Sequence, residues 1–164
     1  MMRLLLPALA ALTLAACGLR PLYAGGSSSP AAVGLNAIEV GPIPNRAGWL
    51  TRNALVDRLG GEHSGGTFRL EVDLDDNITG LGIRGDAATT RERRTLRARY
   101  RLVERASGAV VVDATAGAEA GLDVVSSEYA TVSAEQTASE RLARTVADQI
   151  VMHLARYLTA TSHP

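Results

Sequence analysis

Eight arginines lie between Arg84 and Arg105, against only Asp86, Glu92 and Glu104, a local charge of +5 in a chain with zero formal net charge. Arginine's planar guanidinium binds phosphate and carboxylate through two parallel hydrogen bonds, so a row of arginines can grip phosphorylated head groups or an acidic partner. Arg91, Arg93, Arg97, Arg99 and Arg101 fall at odd positions, with Thr95 among them, so one face of an extended strand would present them together. Leu96, Ala98, Tyr100 and Leu102 then share the other face. A plainer reading stands beside this one. Glu71, Asp73 and Asp75 alternate in the same way with Phe68, Leu70, Val72 and Leu74, and if the two strands pair, acid and base interleave as cross-strand ion pairs.

Cys17 is the only cysteine, so it can form no internal disulfide. It ends a segment made of a charged start, Met1-Met2-Arg3, and an uncharged run from Leu4 to Ala16. That run is shorter than the roughly 20 apolar residues that cross a bilayer as a helix. It has the order of a secretory signal. Leu14-Ala15-Ala16-Cys17 has the form of a bacterial lipobox, in which the cysteine becomes the first mature residue and carries lipid groups such as diacylglycerol and palmitate. Each buried methylene contributes about 0.8 kcal/mol, so several chains together anchor firmly. The sulfur would then be a thioether, without thiol or metal chemistry. Gly18 after the cysteine, in place of an aspartate, points to the outer membrane.

No catalytic constellation emerges. His63 lies in a Gly/Ser stretch, His163 near the C-terminus and His153 on a helical stripe, where solvation is the default. None has metal-ligand spacing, so neither a metal site nor a cofactor is expected. Ser126-Ser127 has no nucleophile-elbow setting, and Gly80-Leu-Gly82-Ile-Arg-Gly85 lacks the following helix of a phosphate loop. Asp75-Asp76 reads as surface. A zero net charge and an export signal both argue against nucleic acid.

Positioning these residues requires a fold. Residues 1–16 read as the signal peptide, 17–34 as the lipidated N-terminus and a tether through Gly25-Gly26-Ser27-Ser28-Ser29-Pro30, and 35–164 as one domain. Ala37 to Ile43 fits a first strand. Asn45 can cap a helix that Gly60-Gly61 ends, with Trp49, Leu55, Val56 and Leu59 at helical spacing. Thr67 to Asp75 and Arg91 to Val103 alternate as strands, and Asn77 to Ala88 extends and turns between them. Ser107-Gly108 turns the chain into Ala109 to Ala118, where Val110, Val112, Ala114 and Ala116 share a side. Ser133 to Ala160 is a long helix opened by a capping box at Ser133–Gln136, with Ala138, Leu142, Val146, Ile150, Leu154 and Leu158 in steps of four. The expectation is an α+β domain, a four-stranded mixed β-sheet with two helices on one face, in the order β-α-β-β-β-α.

Several phrases together resemble one family. Cys17-Gly-Leu-Arg-Pro-Leu-Tyr23 is similar to the mature start of the lipopolysaccharide-assembly lipoproteins, the LptE family. Arg46-x-Gly48-x-Leu50-x-Arg52-Asn53-x-Leu55 resembles its first-helix phrase, and Arg97 to Leu102 with Ser107-Gly108 its central strand and turn. Tyr129-Ala130, Ala138, Arg141, Ala147, Ile150 and Leu154 resemble its final helix. The resemblance implies a non-enzymatic outer-membrane lipoprotein that plugs an LptD-type β-barrel, helps it assemble and binds lipopolysaccharide. An accessory lipoprotein of another envelope transport or appendage complex would satisfy the anchor and fold equally. A lipid-tethered periplasmic hydrolase would need a catalytic cluster.

Intact-mass measurement of the mature protein should show acyl chains on Cys17, and Cys17→Ala should leave the full-length precursor unprocessed.

Overall fold

The computed structural model describes residues 30–62, 64–83, 89–123 and 127–161. Cys17, the signal and most of the tether, His63, Arg84, Gly85, Ser126 and His163 lie outside these described residues. The elements run α1 (Pro30–Asn36), β1 (Ile38–Val40), α2 (Asn45–Arg58), β2 (Phe68–Ile83), β3 (Thr89–Glu104), β4 (Val110–Asp123) and α3 (Glu128–Thr161). The four strands form one sheet in the order β1-β2-β3-β4. β1 is parallel to β2, as a crossover through α2 requires, and the other pairs are antiparallel. The α+β expectation holds, with α1 as a third, short helix.

That helix begins inside the stretch read as tether. Pro30 suits a first helical turn, where its missing N–H costs nothing, and Gly34 of α1 lies against Leu158 near the end of α3. The start of α2 also differs from expectation. Asn45 does not cap it; the residue sits in the left-handed region with φ 68°, and Pro44 in the cap position supplies no side-chain hydrogen bond. The end is as read. Gly60 has φ 90°, and Gly61 N donates to Val56 O at 2.9 Å, the 6→1 bond of a Schellman stop. Gly48 is needed for contact, because a Cβ there would sit 2.6 Å from Ile43 O.

The core forms between the inner sheet face and the helices. Leu70, Val72, Leu96, Ala98, Tyr100 and Leu102 from the sheet meet Leu142, Val146, Ile150 and Leu154 of α3. Alanines 138, 143, 147 and 155 alternate with these large residues and let α3 approach both α2 and β4 closely. The buried aliphatic hydroxyls of Thr51 and Ser139 are satisfied one turn back: Thr51 Oγ1 donates to Ala47 O and Ser139 Oγ to Glu135 O, both at 2.8 Å.

Two side chains depart from their expected faces, and a third from its expected place as a cap. Trp49 is 62% exposed, because it stands about 100° around the helix from buried Gly48. Val110 is 51% exposed, because the register slips between Leu102↔Val112 and Val103↔Val110. Val111 is the extra residue of this bulge and throws Val110 out of phase. Ser133 is not the helix cap. α3 starts five residues earlier, where Ser127 Oγ accepts from Ala130 N at 3.4 Å; exposed Tyr129 and Val132 carry no inward apolar signal in that first stretch.

Leu154 is fully buried in this layer. Leu154→Ala should cost about 2–5 kcal/mol of unfolding free energy, read as a lowered urea midpoint at unchanged slope.

Candidate functional site

The pleat of β3 assembles the site. Its even residues point under the helices, so Arg91, Arg93, Arg97, Arg99 and Arg101 all project from the opposite face of the sheet. The neighbouring strands supply acids in register: Arg101 faces Glu71, Arg99 faces Asp73 and Arg97 faces Asp75 on β2. Asp113 and Asp123 stand opposite Arg101 and Arg91 on β4.

Four of the five arginines are paired. Arg91 Nε lies 3.1 Å from Asp123 Oδ1, and Arg101 Nη2 lies 3.3 Å from Glu71 Oε2. Arg93 Nε is 4.0 Å from Glu119 Oε2. Arg99 makes a two-pronged bond to Asp113, Nε to Oδ1 at 3.1 Å and Nη2 to Oδ2 at 2.8 Å. It reaches diagonally across to β4 rather than to Asp73, its direct neighbour on β2. That hydrogen bond holds the Asp113 carboxyl below its ordinary pKa, and the bond from Arg69 does the same for Glu71. Arg97 is different. No described carboxylate lies within ion-pair distance of it, and its β4 neighbour is Gly117, which has no side chain. Asp73, Asp75, Arg97, Arg99, Thr115 and Gly117 line an open trough of about 680 Å³ over this part of the face.

Asp75 and Asp76 separate to opposite faces. Asp76 pairs with Arg94, the arginine that the strand reading left unplaced, through Nε–Oδ1 at 2.8 Å and Nη2–Oδ2 at 2.5 Å. Donating these hydrogen bonds to the Asp76 carboxylate raises the pKa of Arg94. This pair is the most enclosed arginine–carboxylate contact of the sheet, with side chains 17% and 23% exposed. It fixes β2 to β3 where the hairpin extends past the start of α2. Its signal was in the sequence: position 94 shares its parity with Leu96, and position 76 with Leu74.

His153 is not simply solvated. Its Nδ1 lies 2.5 Å from the Tyr100 hydroxyl, and the rings meet edge to face with centroids 6.0 Å apart. Tyr100 is buried, and burial raises its pKa. The pair gives a phenol inside the core its partner from α3. Gly80 and Gly82 lie within β2, so the glycine-rich phrase forms strand up to Ile83. Among the described residues, no three His, Cys, Asp or Glu side chains converge as a metal site, and no helix is long and apolar enough to cross a membrane.

A family model described as "LptE: Lipopolysaccharide-assembly" matches residues 35–154. A crystal structure of a lipoprotein from Caulobacter crescentus CB15 is 27% identical, with TM-score 0.65, over 79% of this chain and 96% of that one. The rare lipoprotein B from Shewanella oneidensis shares the fold at 10% identity, TM-score 0.57, over 77% and 98%. The solution structure of lipoprotein B from Nitrosomonas europaea does so at 12% identity, TM-score 0.59, over 77% and 92%. No curated protein matches the chain in sequence.

The raised pKa of Tyr100 carries a pH prediction. A folded pKa above the unfolded value of about 10 means that the unfolded chain loses this proton first. Stability from this group is therefore intact below pH 10 and falls as pH rises through the folded pKa. Urea unfolding at neutral and alkaline pH should show this loss, and Tyr100→Phe should remove its share of the alkaline slope.

Proposed function

The chain belongs to the LptE lipopolysaccharide-assembly family, and on that premise we propose that it is a non-enzymatic outer-membrane lipoprotein that plugs an LptD-type β-barrel, assists its assembly and binds lipopolysaccharide. In this reading Cys17 carries the lipid anchor and the described domain enters the barrel. α3 has 34 residues, about 51 Å at 1.5 Å per residue, and the hydrocarbon core of a bilayer is about 30 Å thick. The body is thus long enough to reach through a barrel. Barrel interiors are polar, and a sheet face of alternating arginines and carboxylates suits such a lumen better than it suits lipid.

Arg97 is the observation that carries the lipid-binding part. It is an arginine held beside an open trough with no described carboxylate partner, so its two-pronged donor face is available to a phosphate. The paired arginines beside it remain usable. Exposed ion pairs are screened by water and contribute little, so a phosphate ligand can replace Asp113 on Arg99 at small cost. Arg91, Arg93 and Arg101 extend the same cationic row on either side.

Affinity capture from envelope extract in mild detergent should return a large β-barrel with this chain; repeated recovery of the lipoprotein alone would remove the plug reading. Arg97→Glu with Arg99→Glu should weaken binding to lipopolysaccharide or to the barrel about tenfold or more, roughly 1.4 kcal/mol, while the circular dichroism stays native. Arg97→Glu alone should account for most of the loss. Unchanged binding of both ligands would leave the row as an ordinary ion-paired surface.

A further inference from the structure

We propose that Gln149 is a latch on the open edge of β4, and that the surface it keeps closed is a strand-pairing edge fitted to a second copy of this chain. The inference stands apart from the lipid-binding reading and rests on backbone geometry.

Among the described residues, β4 ends the strand order and pairs only with β3. At its middle, the Gly117 N–H donates to Gln149 Oε1, and Gln149 Nε2 donates to Gly117 O, both at 3.1 Å. Both backbone groups of Gly117 therefore point away from β3. In an antiparallel pair this alternates residue by residue, so Asp113, Thr115, Glu119 and Gly121 also turn their N–H and C=O outward. These residues are exposed. Strand edges are usually blunted by lysine, proline or a bulge. Along 112–123, β4 has no proline and no basic residue, and its bulge lies at the far end, opposite Leu102 and Val103.

The pattern of β4 selects the occupant. Two copies laid antiparallel about Gly117 place Gly117 opposite Gly117 of the second copy, Thr115 opposite Glu119 and Asp113 opposite Gly121. All of these carry outward backbone groups, so the hydrogen bonds are in phase and no like charges face each other. Centring the pair on Ala116 instead sets Asp113 against Glu119, and centring it on Ala118 sets Asp113 against Asp123, both repulsive. The favourable register has its two-fold centre at the residue that Gln149 covers. The amide supplies one donor and one acceptor, the same pair that an incoming strand would supply. Its helix holds it there, because Val146 and Ile150 on either side are buried. The latch thus closes the register at its centre and leaves on either side a short stretch that is open among the described residues, each too short to pair well alone.

The test uses the full chain in mild detergent. Copies bearing Thr115→Cys and copies bearing Glu119→Cys are mixed under oxidising conditions, with and without Gln149→Ala. Inter-copy disulfide should rise about tenfold or more in the Gln149→Ala background, matching a roughly 1.4 kcal/mol gain in association. Adding Ala114→Pro is unsuitable, because that N–H faces β3. Gly121→Pro, which removes an outward donor, should return the yield to the level of the parent chain. Equal cross-linking with and without Gln149, or a yield unaffected by Gly121→Pro, would overturn the proposal. A second measurement needs no variant. In the parent chain, hydrogen exchange at the Gly117 amide should be at least about tenfold slower than at Thr115 and Glu119, about 1.4 kcal/mol of protection. Equal exchange at the three amides would show that the latch is not closed and would equally overturn it.

Discussion

In β3 a two-residue period separates Leu96, Ala98, Tyr100 and Leu102, buried under the helices, from Arg97, Arg99 and Arg101 on the other side of the sheet. The pleat makes this separation compulsory: a slip of one residue would drive the arginines into the core and the apolar side chains into water. Register across the sheet is therefore set by burial. Once it is set, the neighbours of each arginine follow. Leu70↔Leu102 brings Glu71 opposite Arg101, and Leu74↔Ala98 brings Asp75 opposite Arg97. The charged face is a consequence of the buried one.

The two faces contribute on different scales. Burying a Leu, Ile or Val side chain stabilises by about 1.5–3 kcal/mol, whereas an exposed ion pair contributes about 0–1 kcal/mol. The core holds the molecule together, and the outer pairs mainly arrange charge. That division leaves the outer face free to exchange partners without loss of the fold. Arg94–Asp76 is the intermediate case: it is more enclosed than the other pairs of the sheet and sits where the long hairpin passes the first turn of α2, so its breakage would leave a charge partly desolvated.

The same helix that closes the core also reaches its edges. α3 sends Leu142, Val146, Ile150 and Leu154 into the interior, His153 to the Tyr100 hydroxyl and Gln149 to the backbone of Gly117. Residues 149, 150 and 153 lie within about one turn of each other. One turn of helix thereby supplies an apolar knob, a partner for a buried phenol and a cover for a strand edge. Small residues on β4, such as Ala114, Ala116 and Ala118, make the close approach possible.

Short-range periods carried the elements: the alternation around Arg97, the four-residue stripe of α3 and the stop at Gly60-Gly61 were all legible, because each is a local property of the chain. Signals near element ends are weaker. Asn45 and Ser133 have the composition of caps, but a cap is defined by where the helix starts, and the packing of α2 and α3 decides that. Trp49 and Val110 fitted their patterns by residue type and failed by phase, one through its angle on the helix and the other through a bulge. The arginine face was legible as a face, while its pairing was not. Whether Arg99 takes Asp73 or Asp113, and whether Arg97 takes either neighbour, depends on side-chain reach between strands far apart in sequence. His153 with Tyr100 and Gln149 with Gly117 lie 53 and 32 residues apart, so no local pattern links them. Trp49 and Val110 apart, the sequence by itself determined which residues face inward and which outward, because a strand or helix period needs no partner. Only the tertiary structure decided which outward groups meet, because that choice requires the strands and α3 to be placed against one another.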